Sequence, residues 1–326
     1  MSALLDLENF TVELPTPRGW VRPVNEVSLR LGEGEALDLV GESGCGKTML
    51  SLGLMALVPH GARRAGRAWL EISKNGISGR VNLVGLVPEE MRKLRGREIA
   101  MIFQEPMTAL DPVMRIGAQI EEAIRAHEPS LTSAEIRRRA IESLERASVP
   151  EPAQRARQFP HQLSGGLRQR AMIAMALAMR PRLLIADEPT TALDVTVQKQ
   201  ILELLMRLRE ELHLTLLFIT HDLGVVGQIA NRIAVMYAGR IVETGPTREV
   251  LANPRHPYTE GLLRAAPRLK RGKLVPIPGA VPRLDELPPG CAFAPRCPYH
   301  RAECDAAVPE LRLASPEHRA RCILVP

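Results

Sequence analysis

The chain has 326 residues, 45% hydrophobic and 25% charged, the balance of a folded protein with a sizeable core and not of a disordered or fibrous one. Its formal charge of +6 is mild, and its arginines are scattered with no aromatic-interleaved basic stripe, which argues against nucleic acid as a partner. No apolar run reaches the roughly eighteen residues of a membrane span, and Asp6 and Glu8 fall where a signal peptide would be apolar, so a cytosolic chain with reduced cysteines is expected.

In chain order, Leu4–Leu14 reads as a strand, Pro15–Gly19 as a turn and Val27–Leu31 as a second strand. Ala36–Val40 reads as a buried strand, followed by a Gly-rich octet and an apolar helix from Met49 to Leu57. Trp69–Ile72 and Val81–Leu86 read as further sheet or connector, and Ile99–Gln104 as a short strand. Between Ile116 and Arg180 the pattern turns helical. Thr132-Ser133-Ala134-Glu135 is a capping box opening a helix to about Ala147, Pro150–Pro152 breaks the run, and Ser164 starts an Ala/Met-rich helix. Leu183–Asp187 and Leu214–Thr220 then read as strands, Val195–Leu212 and Asp222–Ile229 as helices, and Ile233–Tyr237 with Arg240–Glu243 as a hairpin around Ala238-Gly239. The alternation of strands and helices predicts an α/β fold with a mostly parallel sheet covered on both faces, an antiparallel β part at the N-terminus and an inserted helical subdomain at about 113–180. From Pro254 onward thirteen of 73 residues are proline and four of the five cysteines occur. The expected organisation is therefore residues 1–253 as the main domain and 254–326 as a small Cys/Pro-rich module.

The octet Gly41-Glu42-Ser43-Gly44-Cys45-Gly46-Lys47-Thr48 fits the phosphate-binding loop G-x-x-x-x-G-K-[ST] in the strand–loop–helix context that motif requires. Glycines let backbone N–H groups turn toward phosphate oxygens, and the helix start adds its positive dipole end. Lys47 supplies a cation for the β- and γ-phosphates and Thr48 a hydroxyl for Mg²⁺. Leu183–Ala186 leads four apolar residues into Asp187, placed to hold the Mg²⁺ shell, and Glu188, placed to orient the attacking water. Leu163-Ser164-Gly165-Gly166-Leu167 is a second helix start with exposed amides, and one chain has no evident room for both starts on a single γ-phosphate.

At this point the chain resembles the ATP-binding cassette family, a P-loop NTPase fold whose signature is LSGGQ; position 167 departs from it, with Leu for Gln, and Gln169 lies two residues on. The remaining family motifs follow in order. Gln104 resembles the glutamine that contacts Mg²⁺ and the attacking water. Ala192-Leu193-Asp194 resembles the D-loop, and His221 the switch histidine at the γ-phosphate. The resemblance implies an ATP- and Mg²⁺-dependent hydrolase with Glu188, His221 and Gln104 catalytic, and Thr48, Gln104 and Asp187 around Mg²⁺. It also implies that Ser164, Gly165, Gly166 and Asp194 act on ATP held by a second cassette. Family members stack adenine on an early aromatic residue; the aligned position is Leu14, and Trp20 either substitutes or packs the turn.

Gln104–Pro112, Arg255–Leu263 and Ile277-Pro278-Gly279 are similar to segments of oligopeptide/dipeptide importer ATPases, with nickel and other small-solute importers as relatives sharing them. That implies two transmembrane permease subunits, a second ATPase subunit identical or paralogous, an extracytoplasmic solute-binding protein acting indirectly, and a peripheral place on the cytoplasmic face of the cell membrane. A soluble cassette acting on ribosomes or DNA and a non-catalytic regulatory cassette are the readings from other classes. Cys291, Cys297, Cys304 and Cys322 suit a four-thiolate metal site but are too widely spaced for the C-x₂-C zinc pattern. The resemblance implies a [4Fe–4S] cluster; zinc and plain buried thiols stay open.

Overall fold

The computed structural model describes residues 3–74, 77–191, 193–266 and 276–325. It divides into two compact units, Met1–Gly85 with Phe218–Pro326 and Leu86–Leu217. Along the chain the elements are β1 Ala3–Thr16, β2 Gly19–Gly32, β3 Ala36–Val40, α1 Lys47–Leu54, β4 Arg63–Lys74 and β5 Ile77–Asn82. Next come α2 Pro88–Leu94, β6 Ile99–Ile102, α3 Pro106–Ala109, α4 Ile116–His127, α5 Ser133–Arg146, α6 Pro152–Arg155, α7 Gly165–Leu177, β7 Leu183–Asp187, α8 Val195–Leu212 and β8 Thr215–Thr220, in which the unit boundary falls. The chain closes with α9 Leu223–Ile229, β9 Arg232–Tyr237, β10 Arg240–Pro246, α10 Thr247–Ala252, α11 Pro257–Ala265, α12 Glu303–Ala306, β11 Arg312–Ser315 and β12 His318–Ala320.

In the first unit, β2-β1-β4-β5 form an antiparallel sheet. β1 alternates imperfectly because its pairing with β2 slips at several bulges, and Asn9 and Glu26 take up the left-handed backbone there (φ 49 and 52). A second run of strands, β11-β12-β10-β9-β3, is parallel between β3 and β9 and antiparallel outward from there. All five residues of β3 are buried, as the apolar run before the Gly-rich octet predicts. Asp38 is the exception in chemistry: it is fully buried and neither carboxylate oxygen has a hydrogen-bond partner among the described residues, and burial raises its pKa well above 3.8.

Part of the sequence after Pro254 packs into the core of the first unit, although residues 276–302 have little regular structure. Tyr258, Leu263 and Phe293 join Val40, Val235 and Tyr237 in one buried cluster, and Tyr237, Tyr258 and Phe293 lie with ring centroids 4.6–5.4 Å apart. β12 adds to β10, and buried His318 pairs Nε2 with Glu243 at 2.7 Å. The carboxylate of Glu243 also accepts the amides of Arg255 and His256. Three aromatic rings and a strand addition thus provide the burial that the local composition does not advertise.

In the second unit, β6 and β7 pair in parallel and every residue of both is buried. α5 opens with the expected capping box: the amide of Glu135 donates to the Thr132 hydroxyl at 3.3 Å, and Glu135 reaches back to the Thr132 amide at 2.8 Å. α8 buries Ile201, Leu204, Leu205 and Leu208 at helical spacing. Among the described residues no helix is long and apolar enough to cross a membrane.

Candidate functional site

In the first unit, β3 runs straight into the Gly41–Lys47 loop and α1 leaves it. The cap of α1 is Gly46, at φ 110, with no side-chain cap on the helix amides. Only glycine fits: a Cβ at Gly46 would lie 1.9 Å from the carbonyl oxygen of Pro23. Ser43, Gly44 and Thr48 are exposed, whereas Cys45 and Lys47 are buried. The Lys47 ammonium donates to the carbonyls of Gly41 at 2.7 Å and Glu42 at 3.1 Å, so the cation is held against the loop by oxygen dipoles. Burial pushes the Cys45 thiol up. The Cys45 carbonyl accepts the amide of Gly239 in the β9–β10 turn at 2.9 Å.

Glu42 is held from a distance. Its amide donates to the Tyr258 hydroxyl at 2.7 Å, and its carboxylate takes two hydrogen bonds from Arg296, at 2.7 and 3.0 Å. Arg296 Nε donates to the Pro278 carbonyl at 2.9 Å. Tyr258 and Pro278 lie in two of the importer-like segments, but nothing local in the sequence marks Arg296. His221 is exposed, immediately after β8, and Asp222 caps α9 by accepting the Gly224 amide at 2.8 Å. Trp20 is 44% exposed, pairs with Pro15 across the β1–β2 hairpin and carries the Arg63 guanidinium 4.0 Å from its ring centroid; Leu14 is half-buried.

In the second unit, buried Asp187 ends β7 and Glu188 follows in the left-handed region, φ 45, a backbone state that is rare for a side-chain-bearing residue. Gln104, exposed just after β6, donates to Glu188 Oε2 at 3.2 Å, and Thr191 donates to the same oxygen at 2.9 Å. The structure thereby brings Gln104 and Glu188 together across 84 residues and adds Thr191, which sequence reading missed. At α7, the Ser164 hydroxyl accepts the Leu167 amide at 3.4 Å, and Ser164 and Gly165 are exposed. A Cβ at Gly166 would sit 2.9 Å from Val197, so the starts of α7 and α8 lie side by side. Asp194 caps α8 by accepting the Val197 amide at 2.9 Å; Ala192 lies outside the described residues. Gln169 is 1% exposed and cannot stand in for the signature glutamine at the surface, because two residues of helix rotate it about 200° from position 167, to the packed face.

Cys291, Cys297, Cys304 and Cys322 all line one small pocket in the first unit, together with His256, Phe293 and Tyr299. They are free thiols, and burial raises the pKa of Cys291, Cys297 and Cys322. Among the described residues, however, no three His, Cys, Asp or Glu side chains are drawn together as a metal-holding group. The donor set suits a soft metal, but the ready-made ligand shell expected from the sequence is not built here.

Residues 24–191, just over half the chain, match the family model of ABC transporters, and residues 242–304 match the oligopeptide/dipeptide transporter C-terminal region. A Brucella abortus protein named for peptide import and ATP binding is 50% identical over 330 residues, covering 98% of this chain and 96% of the relative. A second from the same organism, named likewise, is 48% identical over 315 residues and covers 95% and 92%. Among solved structures, the dimeric post-hydrolysis ATP-binding cassette MJ0796 bound to ADP and Pi matches with a TM-score of 0.64 and 29% identity, covering 75% of this chain and 99% of that one. The protein cbiO1 of Clostridium perfringens, at 24% identity and TM-score 0.59, shares the fold over 78% of this chain and 92% of its own. On these matches, which span the Gly41–Thr48 loop, Asp187 and Glu188 at the end of β7, and the Ser164 start of α7, the chain belongs to the ATP-binding cassette family, as an ABC transporter ATPase of the oligopeptide/dipeptide importer type.

Proposed function

We propose that this chain hydrolyses ATP to drive import of di- or oligopeptides across the cell membrane, working as a peripheral subunit on its cytoplasmic face. The observation that carries the hydrolytic part is the Gln104–Glu188 pair: an amide holding a carboxylate at the tip of a buried strand, with Thr191 fixing the same oxygen. A carboxylate so oriented can align and polarise one water for in-line attack on the γ-phosphate. In this reading the amides of Gly41–Thr48 and the Lys47 ammonium grip the β- and γ-phosphates. Thr48, Gln104 and Asp187 would hold Mg²⁺, which would neutralise phosphate charge, and His221 would meet the γ-phosphate. Ser164, Gly165, Gly166 and Asp194 complete the site of a second, facing cassette, an arrangement supported by the dimeric state named for the MJ0796 cassette.

The peptide cargo is supported by the names of the Brucella relatives and by the match of residues 242–304. Partners in this reading are a second ATPase subunit, two permeases and, through them, an extracytoplasmic binding protein, without nucleic acid. Exposed Met107 and Val113 follow Gln104 and offer apolar surface for a permease helix. Residues 1–253 act as the motor, with 113–180 as its helical part, and 254–326 as the transporter-specific module. Cys291, Cys297, Cys304 and Cys322 would hold a [4Fe–4S] cluster, or zinc, as a structural cross-link once the pocket closes on it.

Purification from detergent-solubilised membranes tests the whole reading. Two permeases and a peptide-stimulated ATPase activity are expected; stimulation by nickel or another small solute, or recovery with ribosomes, overturns the cargo assignment. Iron and brown colour are expected in anaerobically purified protein, and stoichiometric zinc without iron rejects the cluster.

A further inference from the structure

We propose that Arg296 and Tyr258 are positioning residues of the ATP site: from the C-terminal region they hold Glu42, and through it the phosphate loop, in its nucleotide-gripping shape. This rests on the reading that Gly41–Thr48 binds the phosphates. All of Glu42's polar groups are tied. Its amide goes to Tyr258, its carboxylate to Arg296, and its carbonyl accepts Lys47 Nζ at 3.1 Å and the Cys45 amide at 3.3 Å. The two external holds fix the peptide that in turn places the Lys47 ammonium and the turn at Cys45. The holders are themselves buried and anchored. Tyr258 is fully buried between Tyr237 and Phe293, and the Arg296 side chain is 4% exposed and anchored to the Pro278 carbonyl and the Tyr237 hydroxyl.

Charge gives the arrangement a second role. The Glu42 carboxylate is 29% exposed inside a loop built to receive a polyanion. Uncompensated, it would repel the nucleotide; paired with Arg296, it contributes geometry without net charge. Arg296 immediately precedes Cys297, and Tyr258 follows His256 and Pro257; Cys297, His256 and Pro257 line the four-thiol pocket. The loop is therefore set by the part of the chain that distinguishes the oligopeptide/dipeptide type from other cassettes.

The test measures binding of ADP and Mg·ATP to the full chain by calorimetry, with steady-state ATPase kinetics. Arg296→Met is expected to raise the nucleotide Kd about tenfold, with KM following and kcat changing far less, since a charge-assisted pair is removed and an uncompensated negative charge left beside the phosphates. Adding Glu42→Gln to Arg296→Met is expected to recover the part of that loss due to repulsion and to leave the part due to the lost hold on the loop. Tyr258→Phe should raise Kd several-fold, and Arg296→Lys, which keeps the charge and one donor, should fall between wild type and Arg296→Met. A merely structural role lowers thermal stability equally in single and double variants and leaves the Kd of folded protein unchanged; that result overturns the proposal. If Arg296→Met does not fold, the Arg296→Lys and Tyr258→Phe values decide: unchanged Kd in both rejects it. Lys47→Ala is the control for the underlying reading. If that variant binds as tightly as wild type, the phosphate-loop assignment itself fails, whereas weakened binding there with no effect in the Arg296 and Tyr258 series rejects only the positioning role.

Discussion

The helix starts of α1 and α7, one in each unit, meet the shortage of partners for first-turn amides in opposite ways. α1 has a glycine cap and no side-chain acceptor, and its loop takes its shape from residues far away: Pro23, Gly239, Tyr258 and Arg296. α7 is capped by its own Ser164 hydroxyl and supported by neighbours of its own unit, Val197 and Leu193. Neither has an acidic residue in its first turn, whereas α5 closes its start with Glu135. A start without a first-turn carboxylate stays compatible with an anion, but α4 and α8 share that trait, so the glycine cap and the distant holders, not the missing acid, set α1 apart. The difference in support also teaches where each start is vulnerable: the first to distant substitutions, the second to local ones.

The largest effect expected is on the carboxylate of the second unit. Glu188→Gln should lower kcat by about 10²–10⁴-fold while retaining ATP, as read by steady-state hydrolysis and nucleotide retention. Wild-type turnover in that variant would remove Glu188 from the reaction. Lys47→Ala should weaken ATP binding about 10–100-fold, because a cation that the loop carbonyls pre-orient no longer reaches the phosphates. Ser164→Ala sharpens the comparison from the other side. It should cost about 1 kcal/mol of helix stability and reduce ATP-dependent dimerisation of the Glu188→Gln protein, while leaving ATP affinity of the separate subunit unchanged. Light scattering with and without ATP reads this directly, and a change in monomer affinity would mean that the two starts serve one nucleotide within one chain.

A stability test concerns the strand that feeds the α1 loop. Asp38 is buried with no hydrogen-bond partner among the described residues, so its folded pKa lies above the unfolded one. The folded state then binds more protons, and stability is full below about pH 4 and declines as pH rises through the folded pKa. Asp38→Asn should match wild type at low pH, exceed it by about 1–3 kcal/mol at neutral pH, and flatten the decline. Parallel denaturation curves for the two proteins across that range would mean that Asp38 finds a partner in solution.

Much of the fold could be read from local pattern. β3, β7 and α8 fall where buried runs and helical spacing put them, and the Thr132–Glu135 box and the Ser164 cap form as written. These features rest on contacts within a few residues, so neighbouring residue types encode them. The short helices α2, α3 and α10 were not anticipated, because four to seven residues give too little periodicity to detect. α11 and the strands β11 and β12 were obscured by proline content that describes connections well and packing poorly.

Sequence alone determined the chemistry available: a loop that can wrap phosphates, a strand ending in two carboxylates, a capped glycine-rich helix start and four thiols. The tertiary structure decided which of these groups act on one another. Arg296 and Glu42 are 254 positions apart, Gln104 and Glu188 84 apart, and the burial of Gln169 follows from what packs on α7. Contacts of that separation depend on where whole elements come to rest, and a chain read one neighbourhood at a time carries no local signal for them.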